Sequence, residues 1–289
     1  MTAATYETLS AHPIAGALGA EIEGIDLAAK LSNSQTAEVK QALWEHKVIF
    51  FRDQDLGPED HLRIAGMFGD VYRVPFVQAR EDYPDIIDIV KEPEDAGKYN
   101  FGGQWHTDAT FDEKPPLGSA LYSLESPPYG GDTLWINMEA AYAALSDGMK
   151  TMLSGLTAMH SAERNYGSGG YFTDDEKQSV SMTINPSESG DERVAHPVVR
   201  THPESGNKSL FVNPVYTICF KDMTIEESQP LLDFLYAHAT RPEFQCRFAW
   251  TSHTLAIWDN RNTMHFAIND YDGHRRHMNR VTVAGERPA

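Results

Sequence analysis

Two short segments of this 289-residue chain carry side chains whose types and spacing suit a metal ion. In Trp105-His106-Thr107-Asp108, an imidazole and a carboxylate stand two residues apart. Residues i and i+2 of an extended strand project from one face, so His106 and Asp108 could reach the same ion. The H-x-D pattern is common by chance, and two ligands do not make a site. His265, at the end of Trp258-Asp259-Asn260-Arg261-Asn262-Thr263-Met264-His265, is the candidate third. Two histidines and one aspartate form a facial triad, which covers one face of an octahedral ion and leaves the other open; non-haem Fe(II) oxygenases favour it. Two histidines and a carboxylate also serve zinc hydrolases, in which the ion activates water.

An open metal face must bind something, and arginines follow. Arg276 and Arg280 lie within Arg275-Arg276-His277-Met278-Asn279-Arg280-Val281. If the strand expected at Met278–Val283 begins slightly earlier, period-two alternation puts Arg276 and Arg280 on one face and Arg275 on the other. The planar guanidinium fork suits carboxylates through two parallel hydrogen bonds.

WHTD, the later Gly130-Gly131-Asp132-Thr133-Leu134-Trp135, the WDNRxxxH segment and these arginines together resemble the TauD/TfdA family of Fe(II)- and 2-oxoglutarate-dependent dioxygenases. The likeness runs in order from the GAEIEGIDL stretch near Gly19 to Val283. It implies a mainly β fold with peripheral helices, a double-stranded β-helix of jelly-roll, cupin-like form. It implies that His106, Asp108 and His265 bind Fe(II) and form the catalytic set. Arg276 matches the arginine that pairs with the far carboxylate of 2-oxoglutarate, Thr133 the hydroxyl that assists it, and Arg280 an arginine that reaches the anion of the primary substrate. The cosubstrates implied are 2-oxoglutarate and O2, the co-products succinate and CO2. Related halogenases lack the carboxylate ligand so that chloride can bind, and Asp108 therefore points to hydroxylation.

For the substrate, the resemblance is less direct. The taurine enzyme holds its head groups with His and Tyr soon after an FG turn and an Asn shortly before WHTD. Here those stretches read Phe68-Gly69-Asp70-Val71-Tyr72-Arg73-Val74-Pro75-Phe76 and Asn100-Phe101-Gly102-Gly103-Gln104, so taurine dioxygenase proper is the alternative. An apolar pocket of Val74, Phe76, Tyr166 and Tyr216 with Arg280 at one end suits a small anion with a hydrophobic body. Met159–Arg164 and Phe211–Tyr216 look more like the aryloxyalkanoate and alkylsulfatase members. The expectation is hydroxylation at a carbon beside an ether, sulfate or similar heteroatom of an aryloxyalkanoate, alkyl sulfate or sulfonate, after which the product falls apart. Two other classes stand beside it. A metal-dependent hydrolase leaves Thr133 and Arg276 without a task, and an intact triad speaks against a non-catalytic jelly-roll binding protein.

These residues must be carried by strands and turns. Ser32 and Gln35 have capping-box spacing ahead of Val39, Leu43 and Trp44, which predicts a helix; the apolar run Val48–Phe51 then reads as a buried strand. Pro58 opens a second helix through Leu62, Ile64 and Met67, stopped at Gly69. Thr224 and Glu227 repeat the capping box ahead of Leu231, Leu232 and Leu235, with Pro230 in or bending the first turns. Strands are predicted at Leu117–Leu124, Asp132–Ile136, Val194–Arg200, Ser209–Val212, Phe244–Trp250, Thr254–Trp258 and Met278–Val283. So many spaced strands suggest a sandwich, jelly roll or barrel. The segment from about 163 to 192, rich in Gly, Ser and acid, is long for a structureless loop and reads as a lid or a partly disordered stretch. With no repeat and no linker, residues 1–289 read as one domain.

Composition narrows the partners. With 24 Lys+Arg against 42 Asp+Glu, the net charge is −18, and no cluster of Lys and Arg makes a basic face. Nucleic acid and anionic membranes would repel such a chain. The arginines near the C-terminus are the local exception. Cys219 and Cys246 are too few for a disulfide framework and read as reduced buried thiols. The N-terminus lacks the basic start and apolar core of a signal peptide, and no stretch approaches the roughly 18 apolar residues of a membrane helix. A cytoplasmic enzyme with a small anionic substrate, either monomeric or a homo-oligomer (dimer or tetramer), fits these bounds.

Overall fold

In the computed structural model, the described residues are 6–96, 100–174 and 181–289. A seven-stranded sheet runs from edge to edge through Ser10–Pro13, Ala20–Glu23, Val48–Phe51, Leu255–Asp259, Gly118–Glu125, Arg276–Val283 and Ile87–Lys91. All its neighbours are antiparallel except Ala20–Glu23 with Val48–Phe51. A three-stranded sheet places Thr133–Asn137 between Gln245–Phe248 and Thr263–Ala267. Thr157–Ser161 centres a further three-stranded sheet with Arg193–Pro197 and Thr217–Phe220, and Val199–Thr201 pairs with Lys208–Leu210.

The core between the first two sheets is aromatic. Trp135, Cys246 and Phe248 of the smaller sheet pack with Val48, Phe50, Leu121, Ala256, Trp258 and Met278 of the larger. Phe50 stacks on Phe248 with ring centroids 3.8 Å apart. Fully burying one such side chain contributes roughly 1.5–3 kcal/mol, so this layer fixes the spacing of the two sheets. A second core covers the outer face of the large sheet with the two N-terminal helices.

Those helices form where the capping signals place them. Asn33–His46 is capped by Ser32, with Gln35 reaching back to complete the box. Pro58–Gly66 begins at its proline but ends three residues before the predicted Gly69 stop. Ile225–Ala239 starts at the Thr224–Glu227 box and contains Pro230 in its second turn. There the ring replaces a donor that would bond back to Glu226, and the helix continues because Leu232 and Leu235 bury their side chains.

His61, on the second helix, is wholly buried, and its Nε2 donates to the Ala120 carbonyl at 2.9 Å. Burial pushes its pKa down from an ordinary 6.5 to about 4. The fold therefore holds a neutral imidazole, and the unfolded chain binds more protons between those two values. Stability from this group is intact above about pH 6.5 and falls as pH drops toward 4, by about 3 kcal/mol in all. His61→Gln, which keeps a donor but does not titrate, is expected to flatten this part of the profile. Urea unfolding at pH 7 and 4.5 measures it, and equal pH-dependent losses in both proteins would refute the assignment.

Cys219 and Cys246 are buried and free of a disulfide. Among the described residues, no helix is long and apolar enough to cross a membrane.

Candidate active site

His106 and Asp108 do not share a strand. His106 makes one isolated bridge to His265, its N–H donating to the His265 carbonyl at 3.1 Å and its carbonyl accepting in return at 2.8 Å. The chain then turns, with Ala109 in the left-handed region at φ 44°. The convergence expected from an extended H-x-D thus comes from a bridge followed by a turn. Asn260 fixes that turn: its Oδ1 accepts from the Asp108 N–H at 2.8 Å, and its Nδ2 donates to the Asp108 and Pro116 carbonyls.

The result is a buried cluster in which one ligand atom from each of His106, Asp108 and His265 lies within 4.8 Å of the others. The Asp108 Oδ1 is 3.5 Å from His106 Nε2 and 3.8 Å from His265 Nε2. Adjacent positions around an octahedral first-row ion stand about 3 Å apart, so the cluster has room for one. Protonation suits the task as well. His106 Nδ1 is 2.7 Å from the Gln104 carbonyl, a contact in which Nδ1 donates and which leaves Nε2 as the ring nitrogen facing the cluster. Burial, and then the His106 imidazole, push His265 down to about 3, which keeps it neutral. Burial alone would raise the Asp108 carboxyl, but the Arg280 guanidinium and the two imidazoles outweigh it and hold it below the usual carboxylate range. Two imidazoles and one carboxylate are the donor set that non-haem iron sites favour.

Both arginines sit on one strand. Arg276–Val283 starts two residues before the predicted Met278, and Arg276 and Arg280 are both buried. Arg275 faces the other way, bonded to Glu92 and Glu125. Arg280 Nη1 lies 3.4 Å from Asp108 Oδ1, and its Nε has no protein partner. Arg276 Nε is likewise buried without a partner; burial lowers the pKa of this guanidinium, and the neighbouring Tyr271 offsets part of that shift. A buried guanidinium with an unpaired N–H has a donor to offer an anion.

Thr133 lies beside Arg276 through Trp250. The Trp250 Nε1 donates to Thr133 Oγ1 at 2.9 Å, which leaves the hydroxyl proton free to serve another acceptor. The Arg276 guanidinium is 5.8 Å from the Trp250 ring centroid. Thr133 is aimed by the turn before it, where Gly130 and Gly131 adopt φ of 72° and 68° and Gly131 N–H bonds Asp270 at 2.8 Å. Positive φ at two successive residues explains the glycine pair in GGDTLW.

A cleft enclosing about 550 Å³, partly open to solvent, ends on His106, Asp108 and Arg280. Val74, Tyr166 and Tyr216 line it as expected, with Phe101, Phe111 and Val215. Phe76 stands behind this wall, stacked on Tyr166 at 5.3 Å between centroids, rather than on the cleft surface. The segment read as a lid is partly built: Glu163–Tyr166 is a short helix, and Phe172 and Ile184 pack with Tyr166, Phe111 and Tyr216. Residues 175–180 of that segment lie outside the described residues.

Sequence reasoning missed the support of the third ligand. The strand Leu255–Asp259 leaves the large sheet and Thr263–Ala267 enters the small one, and Asp259 ties the turn between them. Its carboxylate accepts from Arg261 Nε and Nη2 at 2.9 and 2.7 Å and from His202 Nε2 at 2.9 Å, all buried. WDNR is visible in the sequence, but the side-chain hydrogen bonds of its Asp, Asn and Arg reach partners up to 152 residues away.

Residues 10–282 match the family described as "Taurine catabolism dioxygenase TauD, TfdA family". An alkylsulfatase of Acinetobacter baylyi is 36% identical over 281 residues, covering 97% of this chain and 86% of that protein. An alpha-ketoglutarate-dependent sulfate ester dioxygenase of Pseudomonas putida is also 36% identical, over 286 residues, covering 97% and 91%. Among solved structures, a putative alpha-ketoglutarate-dependent taurine dioxygenase from Burkholderia xenovorans superposes with a TM-score of 0.80 at 33% identity, covering 97% of this chain and 94% of that one.

Proposed function

The chain belongs to the TauD/TfdA family, and from that premise we propose that it hydroxylates a small anionic organic substrate, an alkyl sulfate ester before an aryloxyalkanoate or sulfonate, at the carbon bonded to the heteroatom. It is a 2-oxoglutarate-dependent non-haem iron dioxygenase. The reading includes a double-stranded β-helix formed by the two facing sheets, one dioxygenase domain over residues 1–289, and a cytoplasmic setting, which two buried free thiols favour.

Bound iron, with O2 and 2-oxoglutarate, supplies the oxidation that converts the cosubstrate to succinate and CO2 and adds a hydroxyl to the substrate. His106, Asp108 and His265 hold the ion. Arg276 forks onto the far carboxylate of 2-oxoglutarate, and Thr133, already accepting from Trp250, donates to the same group. Arg280 binds the substrate anion at the end of the cleft, and Val74, Tyr166 and Tyr216, backed by Phe76, enclose its apolar body and exclude water. Hydroxylation beside a sulfate oxygen gives a hemiacetal-type ester, which breaks its C–O bond to release an aldehyde and sulfate.

The observation that carries this reading is the cleft itself: one wall of apolar side chains, ending on a buried arginine with an unpaired N–H beside the three-ligand cluster. Taurine fits it poorly, because Asp108 is the only acid among the described lining residues and would be engaged by the metal. A hydrolase would leave Thr133 and Arg276 without a role.

The test is succinate release on alkyl sulfates, aryloxyalkanoates, alkyl sulfonates and taurine, with wild type and Arg280→Leu. Coupled turnover is expected, fastest on alkyl sulfates. Arg280→Leu is expected to raise KM for the anion by about a hundredfold, as loss of one side of a desolvated ion pair requires. Equal, uncoupled background on every compound would defeat the substrate assignment.

A further inference from the structure

Arg276 and Arg280 stand four residues apart on one strand, roughly 13 Å along it, and each ends a different cleft. Arg280 closes the cleft that holds His106 and Asp108, whereas Arg276 opens onto one lined by Lys91, Asn100, Tyr271 and Ile184. Among the described residues, Phe101 is the one that lines both. Its ring lies 5.7 Å from the Arg280 guanidinium carbon, a cation–π distance.

The backbone holds Phe101 there. Asn100 Nδ2 donates to the Ala267 carbonyl at 2.7 Å, and Ala267 N–H returns a bond to the Gly102 carbonyl at 2.9 Å. The segment is therefore clamped to the strand that carries His265. Gly102 adopts φ 79°, and a Cβ at Gly103 would come within 2.9 Å of the Asn100 carbonyl oxygen. The turn suits glycine at both positions, which leaves Phe101 as its bulky side chain between the clefts.

We propose that Phe101 is a specificity-determining residue: a partition between the two clefts that limits the width of the substrate body beside Arg280. This rests on the assignment of the Arg280 cleft to an anionic substrate. Removing the ring would join the clefts and admit branched substrates, whereas enlarging it would exclude them. One or two extra methylene groups in an apolar pocket change selectivity by about tenfold or more.

The experiment measures kcat/KM for a branched and a linear alkyl sulfate of equal carbon number with wild type, Phe101→Ala, Phe101→Leu and Phe101→Trp. Circular dichroism confirms the fold of each. The branched-to-linear ratio is expected to rise about tenfold in Phe101→Ala, to rise less in Phe101→Leu, and to fall in Phe101→Trp. If Phe101→Ala does not fold, the opposed shifts of the Leu and Trp variants decide. A packing role alone would lower both rates together, so an unchanged ratio alongside wild-type turnover overturns the partition alone. Absence of wild-type turnover on either ester overturns the alkyl sulfate assignment, and the partition falls with it.

Discussion

Asp108→Ala is expected to reduce substrate-dependent succinate formation by at least about a thousandfold and to weaken Fe(II) binding, while the protein remains folded. The factor follows from losing the one anionic ligand of a metal whose contribution to the barrier is several kcal/mol. Folding survives because the bonds that hold the turn involve the Asp108 backbone: its N–H and carbonyl are both gripped by Asn260, and Ala keeps both groups. The side chain also carries a burial cost of its own, which Arg280 and the imidazoles offset. Fe(II) titration followed by a succinate assay separates the two effects. Near-normal turnover in this variant would exclude the triad as the metal site.

The second large effect falls on the cosubstrate. Arg276→Ala is expected to raise the dissociation constant for 2-oxoglutarate by two to three powers of ten, about 3–4 kcal/mol, within the range for truncating one side of a buried charge pair. Arg276→Lys is expected to recover part of this, since an ammonium restores the charge but not the fork. Thermal stability is expected to hold or rise in Arg276→Ala, because burial disfavours this guanidinium and its Nε has no protein partner. Anaerobic 2-oxoglutarate titration of the Fe(II) protein measures the change. A stability loss with unchanged cosubstrate affinity would make Arg276 a structural residue instead.

How much of this could be read along the chain depends on how local each feature is. The capping boxes at Ser32 and Thr224 are four-residue signals, and both helices begin there. Period-two alternation separates Arg276 and Arg280 from Arg275. The H-x-D argument names two residues that do converge with His265, but through a different local geometry, because a single bridge and a left-handed residue do not show as a strand pattern. Strands such as Ile87–Lys91, Thr157–Ser161 and Thr263–Ala267 went unpredicted: they are short, and their pairing partners lie far off in sequence. The same holds for Asn260, Trp250 and Phe101, whose positions matter only through contacts that the fold creates. The net charge of −18 misleads in one respect: it suggests a cationic ligand, whereas Arg276, Arg280 and Lys91 are buried cations that line the two clefts.

The central claim is that His106, Asp108 and His265 hold iron within reach of a 2-oxo acid anchored by Arg276. Anaerobic addition of Fe(II) and then 2-oxoglutarate to the purified protein, followed by visible absorption, tests it most directly. The expected result is a charge-transfer band that requires both additions, saturates at equal amounts and is lost in His265→Ala. No band, together with no oxygen uptake when air is admitted, would contradict the account.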